Sequence, residues 1–140
     1  MGDLRMVKII RIIVLILLFI LGIGALYGGL SFITDPTGES IQISIEVLDG
    51  TPFTNFLIPG IILLVANGLL PLAVAILTIK KSKYYPRFII LQGCVLMGWL
   101  TGELIINIEL FFPIMHYPLY TLGILLIVFG LVLWKNRQAK

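Results

Sequence analysis

One cysteine and one histidine stand in a chain of 140 residues, and that scarcity closes off several chemistries. Cys94 alone cannot form an intrachain disulfide or a CxxC redox or zinc site, and in an apolar run it reads as a buried thiol. His116 alone cannot make a bis-histidine haem. A metal site would need Glu109 and further ligands that the sequence does not offer. No Walker loop, GxSxG elbow or HExxH helix occurs, and no loop is long enough for a conventional soluble active site. No catalytic residue, metal ligand or cofactor is therefore assigned. Charge is scarce too, at 12% of residues against 59% hydrophobic. Soluble domains carry about 25% charge and roughly 45–50% apolar residues, so this composition belongs to a membrane.

What is present is long apolar runs. A span needs roughly 20 apolar residues to cross about 30 Å of hydrocarbon, and four stretches qualify: about 12–30, 57–79, 88–110 and 117–134. The N-terminal segment MGDLRMVKIIRIIVLILLFILGIGALYGG has the basic start of a signal peptide. Its apolar core exceeds the usual length and no small-x-small cleavage site follows, so a retained helix is expected. The 140 residues form a single domain, an all-α membrane protein with four transmembrane helices in an antiparallel bundle.

The basic residues orient it. Arg5, Lys8 and Arg11 precede the first span, Lys80, Lys81, Lys83 and Arg87 fill the turn between the second and third, and Lys135, Arg137 and Lys140 follow the fourth. Asp35, Glu39, Glu46 and Asp49 crowd the opposite loop. The positive-inside rule then places both termini in the cytoplasm and one larger loop, about 31–56, outside. A basic, aromatic-poor cytoplasmic rim suits anionic headgroups and argues against nucleic acid.

Polar residues inside the spans are the candidates for function. At 100° per residue, Gln92, Trp99, Glu103 and Asn107 fall within about 60° of one another on the third helix. An ionised carboxylate at lipid depth costs roughly 2.5–3.5 kcal/mol on insertion scales, so this stripe is expected to face the bundle, toward Asn67 and Tyr27. Glu103 is expected to be neutral and to share hydrogen bonds with Asn107. Glu109 falls about 120° away and reads as solvated. Pro71 cannot donate to the carbonyl of Asn67, so a kink is expected there. His116, with Tyr117, Tyr120 and Trp134, resembles an interfacial belt, and a structural or interfacial role is expected for it.

Gly24 and Gly28 in GALYGGL, and Gly98 and Gly102 in GWLTGEL, form small-xxx-small motifs that would let helix backbones approach closely, within the chain or across a homodimer. The shared Gly-x-Leu-x-Gly-x-Leu pattern is compatible with a duplicated hairpin, although the second and fourth spans do not repeat. In the outer loop, TDPTGES reads as a turn. In IQISIEVL (41–48) the alternation fits a strand, while Ile41, Ile45 and Leu48 fit a helical stripe. An interfacial helix is favoured because it satisfies its own backbone. The loop reads as a tether resting on the outer ends of the bundle.

The run from GALYGGLSFITDPTGES through LDGTPFTNFLIPG to GWLTGELI resembles a recurring family of small bacterial four-span integral membrane proteins. Its members share a Gly-rich first helix, an Asp-Pro-x-Gly turn and a Thr-Pro-Phe…Pro-Gly lead-in to the second helix. A Trp with a polar residue in the third helix completes the pattern. The resemblance covers about two thirds of the chain. It implies a bacterial inner-membrane location and brings no activity and no functional residue with it. The expectation is a binding or accessory bundle for lipid, a small hydrophobic ligand or a partner membrane protein. The alternatives are a proton- or cation-coupled transporter subunit using Glu103 and a small lipid-modifying enzyme.

Overall fold

A computed structural model describes residues 2–138. Among them every regular element is helical, and four helices are long and apolar enough to cross a membrane. These are α1 (Gly2–Thr34), α2 (Leu57–Ile79), α3 (Tyr85–Ile106) and α4 (Pro113–Gln138). In lipid each backbone N–H and C=O must be bonded within its own segment, so apolar runs of this length become helices. The chain is a multi-pass membrane protein folded as a four-helix bundle.

The expected boundaries hold for α2 and move elsewhere. With 33 residues, α1 is about 50 Å long and outreaches the hydrocarbon. Hydropathy marks where lipid ends, whereas helical hydrogen bonding continues through the basic first turns. Helix α3 stops at Ile106 because Asn107 is extended (φ −158°, ψ 117°). The Asn107 Oδ1 accepts the N–H of Glu109 at 3.0 Å, starting a 3-10 turn at Ile108–Leu110. The chain then re-enters helix at Pro113, whose missing N–H costs nothing in a first turn.

Helix α1 packs most closely against α2, and α3 against α4. These two hairpins meet through a core that includes Val14, Leu18, Val74, Ile89, Leu96 and Leu126, all essentially inaccessible. Close approach within each hairpin depends on glycines. A Cβ on Gly22 would lie 2.8 Å from Leu72, and one on Gly60 would lie 2.6 Å from Phe32. In the other hairpin, a Cβ on Gly93 would meet Ile127 at 2.7 Å and the Gly123 carbonyl at 2.8 Å. The four glycines expected to form the packing seam behave differently. A Cβ on Gly24, Gly98 or Gly102 would meet nothing within 4 Å, and one on Gly28 only Leu63 at 3.4 Å.

Helix α2 carries a π-helical stretch, Leu64–Leu69, in which the N–H of Leu70 reaches the carbonyl of Val65. The Ala66 carbonyl is thereby left without a helical donor. Leu70 has turned to Val65, and Pro71, next in the π register, has no N–H. The side chain of Gln92 takes that place, donating to Ala66 O and to Asn67 Oδ1, both at 3.2 Å. The carbonyl rescued by a side chain is thus that of Ala66 rather than Asn67, because the π register shifts the pairing by one residue.

The loop between α1 and α2 is neither a strand nor a continuous interfacial helix. It holds two 3-10 turns, Glu39–Ile41 and Ile45–Leu48, pinned by side chains. Asp35 accepts from the Thr37 hydroxyl at 2.6 Å and from the Ser40 N–H at 3.0 Å. The Thr37 hydroxyl first, and then the Ser40 amide, hold the Asp35 carboxyl below its ordinary value of 3.8. Gly38 (φ 81°) makes the turn where any Cβ would strike the Ile43 carbonyl, and Phe56 stacks on Phe32 at 4.6 Å. Cys94 is exposed on the outside of α3 rather than buried.

Candidate functional site

Helices α1 and α3 lie diagonally across the bundle and scarcely touch. Toward the loop end the space between them is an apolar cavity of about 600 Å³. Gly24 and Gly28 line it from α1, and Gly98 and Gly102 from α3. Leu21, Leu96 and Leu100 close it toward the core, and Leu48, Phe53 and Phe56 of the loop cover it. Ile20 and Ile114 on its rim are 59% and 90% exposed, so the cavity is continuous with the apolar outer surface. The glycines thus make room: where a side chain would stand on facing walls, there is none. The loop read as a tether is the roof of this space.

Three of the expected polar residues line the cavity, namely Asn67, Trp99 and Glu103. The Glu103 side chain is 25% exposed, and its Oε2 lies 3.2 Å from Nε2 of the fully buried His116. His116 reads correctly only with α4 in view. Its ring reaches back one turn, and the N–H of Phe112 donates to Nδ1 at 3.2 Å, satisfying an otherwise orphaned N–H at the start of the helix. Nδ1 also lies 3.2 Å from the Phe112 carbonyl, and Nε2 faces Glu103, so the one ring joins the helix start to the carboxyl. Of the structural and interfacial roles expected for His116, the contacts fit the structural one: it ties the end of α3 to the start of α4 inside the bundle. One turn further along the same hairpin, Thr101 and Tyr120 join their hydroxyls at 3.0 Å.

The rest of the predicted stripe comes apart. Gln92 is buried deeper, bonded to α2. Asn107 has left the helix, and its amide donates to the carbonyl of Val47 at 2.7 Å, pinning the loop. Only its backbone N–H reaches Glu103, at the carbonyl. Tyr27 is 69% exposed and faces away from this site. Glu109 is exposed, as expected, but because it lies in the 3-10 turn beyond the end of α3 rather than at a helical angle on it. Asn67 is fully buried, accepts from Gln92, and leaves its Nδ2 without a partner among the described residues. A buried polar atom in this state is a costly feature that a ligand acceptor would relieve.

Fold and site together define a class: a four-helix membrane bundle with a loop-roofed apolar cavity, Glu103 in its wall and the fully buried His116 in contact with that carboxyl. No family model, curated protein or solved structure matches the chain.

Proposed function

We propose that the protein binds a hydrophobic or amphiphilic small molecule, such as a membrane lipid, in the cavity between α1 and α3. The observation that carries this reading is the glycine-walled apolar space of about 600 Å³ with Glu103 and Asn67 at its edge. Ligand sites typically enclose about 300–1,000 Å³, mostly apolar, with a few polar groups that fix orientation. The apolar length of a ligand would lie between the glycines, and its polar group would meet the carboxyl of Glu103. The basic-residue distribution supports cytoplasmic termini with the loop outside, and the resemblance to small bacterial four-span proteins supports a bacterial inner membrane.

Replacing Gly98 and Gly102 together with Ile tests the reading, because nothing stands within 4 Å of a Cβ at either position. The expected result is an intact bundle from which a lipid or hydrophobic molecule, retained by the unaltered protein in native mass spectrometry, is lost. Retention unchanged in the filled variant would overturn the proposal. A second reading, proton- or cation-coupled transport, draws on the contact between Glu103 and His116. It requires pH-dependent flux in liposomes that disappears in Glu103→Gln, and flux indifferent to that change would end it.

A further inference from the structure

The opposite end of the bundle carries a second cleft, of about 580 Å³. Four basic side chains from three elements line it: Lys8 and Arg11 of α1, Lys81 of the α2–α3 turn and Arg137 of α4. Leu4 and Leu133 supply apolar wall. Among the described residues none of these four cations has a carboxylate within 4 Å; the one contact of that kind is Glu103 with His116, at the far end of the molecule. Like charges gathered in one cleft repel unless a counter-charge joins them. The cleft is also braced, since Arg137 Nη1 donates to the carbonyl of Ser82 at 3.0 Å and its guanidinium lies over the Tyr85 ring.

Lys81 adds a separate observation. Helix α2 ends in a Schellman turn, with Lys81 N–H on Thr78 O and Ser82 N–H on Leu77 O, and Lys81 itself takes the left-handed position at φ 53°. That position favours glycine, since a Cβ there crowds the following carbonyl. A lysine held against its backbone preference, in a cleft already cationic, is unfavourable for the fold on both counts.

We propose that this cleft is a binding site for a phosphate group, carried by an anionic phospholipid or free as a phosphate anion. The apolar wall beside the cations fits a headgroup whose chains continue into the bilayer.

The test uses the full chain in phosphatidylcholine nanodiscs doped with phosphatidylglycerol, with native mass spectrometry counting the lipids retained on release. Phosphatidylglycerol is expected to be retained preferentially, with the preference falling about fivefold for each of Lys8→Gln, Arg11→Gln and Lys81→Gly. It should be unchanged in Lys83→Gln and Lys135→Gln, whose charges lie off the cleft. Lys81→Gly is the decisive variant, because it relaxes the turn and so its loss of lipid cannot come from unfolding. Titration of inorganic phosphate into all-phosphatidylcholine nanodiscs separates the sources. Binding that weakens in Lys81→Gly assigns a free phosphate, and its absence beside the lipid preference assigns the headgroup. Equal retention of the two lipids with no phosphate binding overturns the proposal, as does an equal loss in the two control variants.

Discussion

A carboxyl within a membrane helix is tolerable when something in the bundle answers it, and for Glu103 that partner is His116. The histidine serves two groups at once, the carboxyl through Nε2 and the Phe112 N–H through Nδ1. His116→Ala should therefore cost more than one hydrogen bond, about 1–3 kcal/mol, because two polar groups lose their partner. Thermal unfolding in detergent would measure it. A double-mutant cycle with Glu103→Gln should show positive coupling, the pair of changes costing less than their sum; strict additivity would mean that the two side chains do not act together. This pairing was within reach of the sequence. Glu103 and His116 stand about equally far from the middle of the α3–α4 connection, as do Thr101 and Tyr120, which meet at 3.0 Å. It was hidden because starting the fourth span at residue 117 left His116 outside the helix.

Among helices, the glycines divide into two kinds that look alike as letters. Gly93 sits where α3 and α4 touch, whereas Gly98 sits five residues along on a wall with nothing opposite. Gly93→Ala is expected to destabilise by about 1–3 kcal/mol through overpacking, since its Cβ would fall 2.8 Å from the Gly123 carbonyl. Gly98→Ala should be neutral or stabilising by about 0.5–1 kcal/mol, as alanine favours helix over glycine. Paired melting curves in one detergent decide this, and equal losses at both positions would refute the cavity. A small-xxx-small spacing states that a backbone could approach, not that one does. The α2 segment shows the same limit: Pro71 announced a disturbed hydrogen bond, while the π register that sends the Ala66 carbonyl to Gln92 had no sequence signature.

The whole molecule is two close hairpins meeting over a shared core at the basic end and parting toward the loop end, where the cavity lies. The proposed orientation rests on charge placement alone and can be tested directly. After Cys94→Ala, a cysteine in place of Thr54 in the loop should react with a membrane-impermeant maleimide on intact cells, while one in place of Lys135 should not. Neutralising Lys80, Lys81, Lys83 and Arg87 together with Gln should weaken the charge bias and yield a labelled fraction at position 135. Labelling at 135 in the unaltered background would invert the topology.

The four apolar helices, and the gathering of basic residues between and beside them, were legible in the sequence. Each of these depends on local composition and on the demand that backbone groups in lipid bond within their own segment. Which faces of those helices meet is a matter of packing between segments far apart in the chain. In lipid, outward and inward faces are both apolar, so periodicity cannot tell a packed glycine from one lining a cavity. Gly24, Gly28, Gly98 and Gly102 became cavity walls because α1 and α3 ended up diagonal rather than adjacent. The Glu103–His116 pair and the roof over the cavity likewise depend on residues far apart in the chain, and on a helix end at Asn107 set by its own side chain.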